Sequence, residues 1–365
     1  MKIVILASLT PDTTANYLIR AFKNCGDETF VISDIKNPLA DCLVKGAPDI
    51  PKLLKEKGLE PDFILFIEGG SMRLFPKNIE NTNCKTVWYG IDTHMDYNKH
   101  LAIGKVFDIT MVAQKQYIES LRKDGLSNIF WLPLAYESAI RNDSKDKKFL
   151  ISYVGSNNSH LHPDRHRMIE LIKKRYSEIF FGKAMPDEMR DIYASSKLVF
   201  NKSVNNDINM RYFEAMGEGA VLLTDRAVNN GAEELFQEGK HYFIYDNDDH
   251  LITLIDNLSK SQDLVKEVGG NARELILKEH TYIHRALKVK DIVTNCSTNR
   301  KVSPFSYVEI FLRLDMLVEG IEAIILILGQ LKTRRLNSIL KYILIIFLKL
   351  NLRLWQHTLF LFKKL

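Results

Sequence analysis

Six short apolar runs govern what the first third of this chain can become: KIVIL at 2–6, TFVI at 29–32, FILFI at 63–67, TVWY at 86–89, ITMV at 109–112 and IFWL at 129–132. A strand with one face in water alternates apolar and polar side chains. These runs do not alternate, and they are rich in β-branched and aromatic residues, the pattern of parallel strands buried on both faces. The stretches between them include 13–24, 49–57 and 114–123, which read as surface helices. Strands that alternate with helices specify a doubly wound α/β domain.

Residues 141–148 (RNDSKDKK) hold no apolar side chain and read as a linker. The pattern then restarts. Strands are expected at 151–154, 179–181, 198–200, 220–223 and 242–245, and helices at 162–175, 187–194, 211–216, 248–259, 263–278 and 282–294. The division expected is 1–146, 147–298 and a helical tail, 299–365. Two α/β domains face each other across a cleft, and ligands of such sheets bind beyond the carboxyl ends of the strands.

The net charge of +5 misleads as an average. Residues 331–365 carry eight basic side chains and no acid; subtracting that +8 leaves residues 1–330 at −3. Basicity confined to a tail argues against nucleic acid as a partner of the main body. Cys25, Cys42, Cys84 and Cys296 stand far apart, with neither zinc-ligand spacing nor a disulfide framework. The amino-terminal apolar run is too short for a signal peptide, and a reducing cytoplasmic location is the expectation.

The stretch 209–225 (NMRYFEAMGEGAVLLTD) carries the densest chemistry. A helix bearing Arg211 and Glu214 runs into Gly217 and Gly219, and a buried strand ends in Thr224-Asp225. Three residues apart, Arg211 and Glu214 share a helix face. One reading is a surface ion pair; the other is a cation and a carboxylate at a sheet mouth, ready for phosphates and ribose hydroxyls. Tyr153-Val-Gly155-Ser156 ends a strand before a helix, where glycine admits a ligand to the backbone, or forms an ordinary junction. Arg165 and Arg167 follow, either one placed to reach a diphosphate. His160, His162 and His166 read as exposed imidazoles of a first helical turn. Asp246-Asn-Asp248 reads as a helix cap rather than a metal clamp. Asp92 and His94 close the strand at 86–89: one reading is a structural Asp–His hydrogen bond in a loop; the other, favoured, has both facing the cleft, where His94 would donate to a sugar hydroxyl or shuttle a proton. No GxGxxG follows the first strand, which argues against a nicotinamide or flavin dinucleotide.

Together these stretches resemble the CgeB-like (spore maturation protein) glycosyltransferases. The resemblance rests on NDINMRYFEAMGEGAVLLTD (206–225), NGAEELFQEGKH (230–241) and HTYIHR (280–285). Upstream it rests on WYGIDTH (88–94), FDITMVAQKQY (107–117), WLPLA (131–135) and YVGS (153–156). It covers about residues 85–290; residues 1–84 match only as a generic α/β half. The resemblance implies a GT-B fold of two Rossmann-like domains, with a nucleotide-sugar donor held mainly by the second. It further implies hexosyl transfer of retaining type, with no metal and no other cofactor. In related retaining transferases two glutamates eight positions apart hold the donor; Glu214 matches the second, at the ribose, and Asn206 stands where the first would be. Asn201, Asn209 and Arg211 fall on the same pattern as lining of the donor pocket. Arg211, Arg165 or Lys183, with backbone N–H groups near Gly155, would stabilise the leaving diphosphate. Gly219 and Thr224 join this set, and Arg211→Ala is expected to abolish transfer while leaving the fold intact.

The acceptor expected is a glycan or glycolipid of an envelope or lipid-linked kind. Residues 305–330 and 334–362 read as amphipathic helices, the second with polar side chains on one stripe. Its longest apolar run, 342–348, is too short to span a bilayer. Two readings stand for 331–365: a basic helix lying on an anionic inner leaflet, which is favoured, or an apolar face packed on protein. The rivals to transfer are a non-catalytic nucleotide- or glycan-binding scaffold and a GT-B nucleotide-sugar epimerase.

Overall fold

The computed structural model describes residues 1–11, 13–70, 72–138, 146–297, 306–307 and 310–311. The tail 331–365, most of the helix expected at 305–330, and linker residues 141–145 lie outside these described residues.

The first lobe runs β1 (Lys2–Leu6), α1 (Thr14–Asn24), β2 (Glu28–Ser33), β3 (Cys42–Leu43), α2 (Ile50–Lys57), β4 (Phe63–Ile67), β5 (Lys85–Gly90), α3 (Tyr97–Gly104), β6 (Ile109–Val112), α4 (Ile118–Lys123) and β7 (Ile129–Trp131). Its seven strands are all parallel, in the order β3-β2-β1-β4-β5-β6-β7. The six apolar runs are β1, β2 and β4 to β7. Every residue of β4 and β6 is buried, as two covered faces require. The two-residue edge strand β3 and helix α3 escaped the sequence reading. Asp96 caps α3 by accepting the Lys99 N–H at 3.0 Å.

The second lobe runs β8 (Phe149–Val154), α5 (Pro163–Arg175), β9 (Ile179–Gly182), α6 (Pro186–Ala194), β10 (Ser196–Phe200), α7 (Met210–Gly217), β11 (Val221–Asp225), α8 (Ala232–Leu235), β12 (Tyr242–Tyr245), α9 (Asp248–Lys260), α10 (Gln262–Glu279) and α11 (Tyr282–Asn295). Its parallel strands take the order β12-β11-β10-β8-β9. The chain leaves β8 in one direction, for β9, and then returns to β8's other side with β10. The crevice beyond the carboxyl ends of β8 and β10 is therefore a topological switch point, where open parallel sheets bind ligands.

Two crossings join the lobes side by side. Tyr136, on the outward crossing, donates its N–H to the His280 carbonyl at 2.9 Å and accepts the Tyr282 N–H at 3.0 Å. Arg285 locks the pair: its Nε donates to the Pro133 carbonyl at 2.8 Å and its Nη2 to that of Leu134 at 3.0 Å. Helix α11 then lies against α1 of the first lobe, where Tyr282 meets Thr14 (3.2 Å) and Lys290 pairs with Asp27 (2.8 Å). The last helix of residues 147–298 thus belongs by packing to the first sheet. Tyr307, Ile310 and Phe311 extend that attachment by burying their side chains among Phe75 and Ile79. No helix among the described residues is long and apolar enough to cross a membrane.

Candidate active site

The switch point is built around one ring and two guanidiniums. Tyr153, the fifth residue of β8, is buried, and its hydroxyl donates to the Ser156 carbonyl at 3.0 Å. Arg211, in the first turn of α7, lies over the ring with its guanidinium carbon 4.3 Å from the centroid. Arg165, in the first turn of α5, approaches the same ring at 5.8 Å. Arg211 also bridges the two strands of the crevice. Its Nη2 donates to the Val154 carbonyl at 2.8 Å, its Nη1 to Asn201 Oδ1 at 2.6 Å and its Nε to the Tyr193 hydroxyl at 3.2 Å. Arg165 is 8% exposed; its Nη2 donates to the Lys202 carbonyl at 3.1 Å, and its Nε is buried with no partner. Neither guanidinium has a carboxylate within ion-pair distance among the described residues. The carboxyls of Asp207 and Glu214 act on Arg211 only from beyond ion-pair distance, so two like charges share a half-buried site that an incoming anion would relieve.

Gly155 opens that site. It sits at φ +152°, and a Cβ there would lie 2.8 Å from the Tyr153 hydroxyl and 2.9 Å from Arg211 Nη2. Gly155→Ala is expected to displace the guanidinium and weaken nucleotide binding about tenfold or more, beyond a stability loss of about 1–2 kcal/mol. Calorimetric titration beside a urea melt separates the two effects. Unchanged affinity would remove the turn from the site.

Glu214 lies one turn along α7 from Arg211. Its carboxyl makes no hydrogen bond or ion pair among the described residues, and burial pushes it up to about 7, against the pull of Arg211 and Arg190. The remaining expected residues divide. Ser156 and Lys183 are exposed beside the Gly155 turn, which is tied to β9 by a 2.9 Å bond from the Gly155 N–H to the Gly182 carbonyl. Asn201 and Thr224 are fully buried, so neither can touch a ligand. Asn201 instead braces Arg211 from below, and its Nδ2 donates to Thr224 Oγ1 at 2.9 Å. Asn209 caps α7, accepting the Arg211 N–H at 3.2 Å and giving its Nδ2 to Asn201 at 3.1 Å. Asn201 and Thr224 thus support Arg211 rather than line the pocket, while Asn209 is half-buried at the helix start.

Gly219 is likewise corrected. Helix α7 runs antiparallel to the strands, and eight residues rise about 12 Å, so its carboxyl end lies at the opposite edge of the sheet. There Gly219 backs onto Gly269, whose Cβ would meet the Gly219 carbonyl at 2.6 Å, and Gly217 receives the ring of Tyr136. The glycines serve close packing, not ligand approach. Of the two arginines near α5, Arg167 is exposed and pairs with Asp164 and Asp248, which leaves Arg165 at the crevice. In the 246–248 turn the cap of α9 is Asn247, whose Oδ1 accepts the His250 N–H at 2.9 Å.

On the first lobe, Asp92 and His94 lie on a loop clamped from beneath. Glu68, following β4, accepts the N–H groups of Ile91 (2.6 Å) and Asp92 (2.8 Å) on Oε2, and holds His100 (3.0 Å) and Lys99 (3.2 Å) on Oε1. Burial works against its charge, but His100 and Lys99 outweigh it and hold the carboxyl down at about 2. Gln114 completes the clamp by accepting the Thr93 N–H at 3.2 Å and donating to the Ile91 carbonyl. Burial and the Glu68 charge push the Asp92 carboxyl up. Glu68, His100 and Gln114 were missed from sequence. An acid straight after an all-apolar strand was the available signal for Glu68, while its partner His100 lies 32 residues away.

The loop meets the second lobe at the turn 204–207. Asn205 Nδ2 donates to the His94 carbonyl at 3.3 Å, and Gln116 Nε2 donates to the Asn206 carbonyl at 3.4 Å. Asn206 uses its backbone there, at φ +62°, with its side chain exposed.

This geometry has known counterparts. Residues 157–291 match the family model described as glycosyl transferase-like. HepE of Anabaena, solved with UDP and glucose, superposes with a TM-score of 0.61 at 12% identity, over 81% of this chain and all of that one. A glycosyltransferase of Rickettsia africae gives 0.57 at 14%, over 81% and 99%. A mutant T4 phage β-glucosyltransferase, solved with UDP-glucose, gives 0.57 at 13%, over 80% and 99%. No curated protein matches the chain. The fold is therefore GT-B: two parallel-sheet α/β lobes with helices, as the sequence led us to expect.

Proposed function

We propose that the protein is a glycosyltransferase whose second lobe holds a nucleoside diphosphate-sugar at the β8/β10 switch point. The observation that carries this reading is the pair Arg165 and Arg211, set against Tyr153 under a Cβ-free turn, with no carboxylate in ion-pair contact among the described residues. A diphosphate supplies the missing negative charge, and free N–H groups of Arg211 remain to receive it. Charge grows on the diphosphate as the glycosidic bond breaks, so guanidiniums already held in place lower that barrier without a metal ion. Lys183 and the Gly155 turn complete the anion site, and Glu214 accepts from the ribose hydroxyls. Asp92 and His94 face the transferred sugar from the first lobe, in a hexosyl transfer of retaining type. Lobe closure excludes water and suppresses donor hydrolysis. The finer assignment is to the CgeB-like group, with an envelope or lipid-linked glycan acceptor at the inner face of a membrane, reached through residues 331–365.

The test is thermal shift of the full chain against UDP, GDP, ADP and CMP and their sugar conjugates, since a ligand that binds only the native state raises the melting point. One nucleotide series should stabilise the protein and show slow donor hydrolysis. No response to any member overturns the reading; binding without turnover leaves the protein a scaffold.

A further inference from the structure

The carboxyl-terminal attachment of Tyr307 and Phe311 fills a gap in the first lobe. There α2 and α3 cover one face of the sheet, but the β4–β5 connection, 68–84, forms a single 3₁₀ turn, Ile79–Asn81, and has no α-helix among its described residues. Ser306, Tyr307, Ile310 and Phe311 are helical, and the last three, spaced to share one helix face, are buried in that gap. The Tyr307 hydroxyl accepts the Ile79 N–H at 3.1 Å and donates to the Glu80 carboxylate. Phe75 is the hub, its ring centroid 5.7 Å from Phe311, 6.2 Å from Tyr307, 5.8 Å from Phe66 and 6.3 Å from Phe107. Phe66 and Phe107 lie 5.0 and 6.2 Å from Trp88, and Trp88 lies 5.7 Å from the His100 ring. A run of packed rings thus joins the carboxyl-terminal helix to the imidazole beneath the 91–94 loop. His100 has no slack: Nε2 meets Glu68 at 3.0 Å, Nδ1 meets Thr93 Oγ1 at 3.1 Å, and a Cβ on Gly90 would lie 2.5 Å from Nδ1.

Resting on the transferase reading for the role of the 91–94 loop, we propose that Tyr307 and Phe311 are positioning residues for that loop. A close-packed ring cluster passes on the loss of one member as a shift, because its neighbours move toward the void. Phe311 backs Phe75 against Phe66 and Phe107, and these hold Trp88 against His100. Phe107 follows α3, the helix that carries His100, so the seat of that helix and the Glu68–His100–Thr93 network depend on the same rings. The clamp then orders the backbone of Ile91, Asp92 and Thr93 only while the carboxyl-terminal helix is seated. An event that unseats this helix loosens the loop without touching the nucleotide site on the second lobe.

Hydrogen exchange of the full chain reads the clamp directly, since the Ile91 and Asp92 amides donate to Glu68 and that of Thr93 to Gln114. Phe311→Ala should speed exchange at 91–93 about tenfold relative to the β8 amides of the second lobe, and Tyr307→Phe, which keeps the ring, about threefold. Tyr307→Phe also carries the test should Phe311→Ala fold poorly. Leu18→Ala, in the core on the other face of the same sheet, is the control: at a comparable loss of urea stability it should leave that ratio unchanged. Equal deprotection by the control would make the rings ordinary core, and amides still protected in both ring variants would break the link; either overturns the proposal. Donor hydrolysis by Phe311→Ala should fall about tenfold in kcat while nucleotide affinity stays within about twofold. Full turnover with deprotected amides would overturn the positioning role. A wild type that binds no nucleotide overturns the transferase reading, while the exchange comparison still decides whether the rings set the loop.

Discussion

Arg211→Ala should lose transfer and part of the fold together. Removing one charged donor from a developing oxyanion costs about 2–4 kcal/mol of barrier, roughly 10²- to 10³-fold in rate. The substitution also leaves the Val154 carbonyl and one lone pair of Asn201 open, and takes the guanidinium off the Tyr153 ring. Truncating such a buried network costs about 2–4 kcal/mol of stability. The sequence-based expectation was that this variant keeps its fold; the contacts of Arg211 lead us to expect a folded but less stable protein. A residue three positions from Glu214 on an amphipathic helix can look like a surface cation, yet α7 turns it under β8. Urea unfolding with donor hydrolysis on the still-folded fraction separates the losses. Arg211→Lys keeps the charge but not the fork, and should recover stability less than halfway. Full turnover by the alanine variant would remove Arg211 from the mechanism.

Glu214→Gln should do the opposite to stability. The folded-state carboxyl sits at about 7 against an ordinary 4.5 because burial opposes its ionisation. The folded protein thus binds the proton more tightly than the unfolded chain. The contribution is fully present below about 4.5 and is lost as pH rises through about 7, which by linkage amounts to about 3 kcal/mol at pH 8. Glutamine never ionises. The variant should melt higher than wild type at pH 8 and alike at pH 5, while losing about tenfold in nucleotide affinity for want of a charged acceptor. A group kept uncomfortable in the empty protein and useful when a ligand arrives is the usual trade between stability and activity. A melting difference that does not change with pH would show that the carboxyl is not held there.

The apolar runs made the fold legible because a strand covered on both faces has no choice of residue. β1, β2 and β4 to β12 all fall within two residues of their sequence-based bounds. Of the candidate site, the placement of Gly155, Arg165, Arg211 and Glu214 at the crevice was legible as well, each by a local rule: a glycine at a strand end, a cation in a first helical turn, an acid one turn on. Local rules failed wherever depth mattered. Asn201 and Thr224 lie on the same segments as Arg211 yet sit beneath it, and Gly219 is eight residues from Arg211 yet at the far edge of the sheet.

Sequence by itself determined two doubly wound sheets and the chemistry of one strand–turn–helix mouth, since hydrophobic periodicity and glycine placement act over neighbouring residues. Only the tertiary structure decided which charges lack partners. Whether Arg165 and Arg211 meet a carboxylate, whether Glu68 finds His100, and whether Asn205 reaches the His94 carbonyl depend on residues tens to more than a hundred positions apart. Those pairings follow from how α5, α7 and the two lobes pack, because the energy of a buried charge is set by what surrounds it in space.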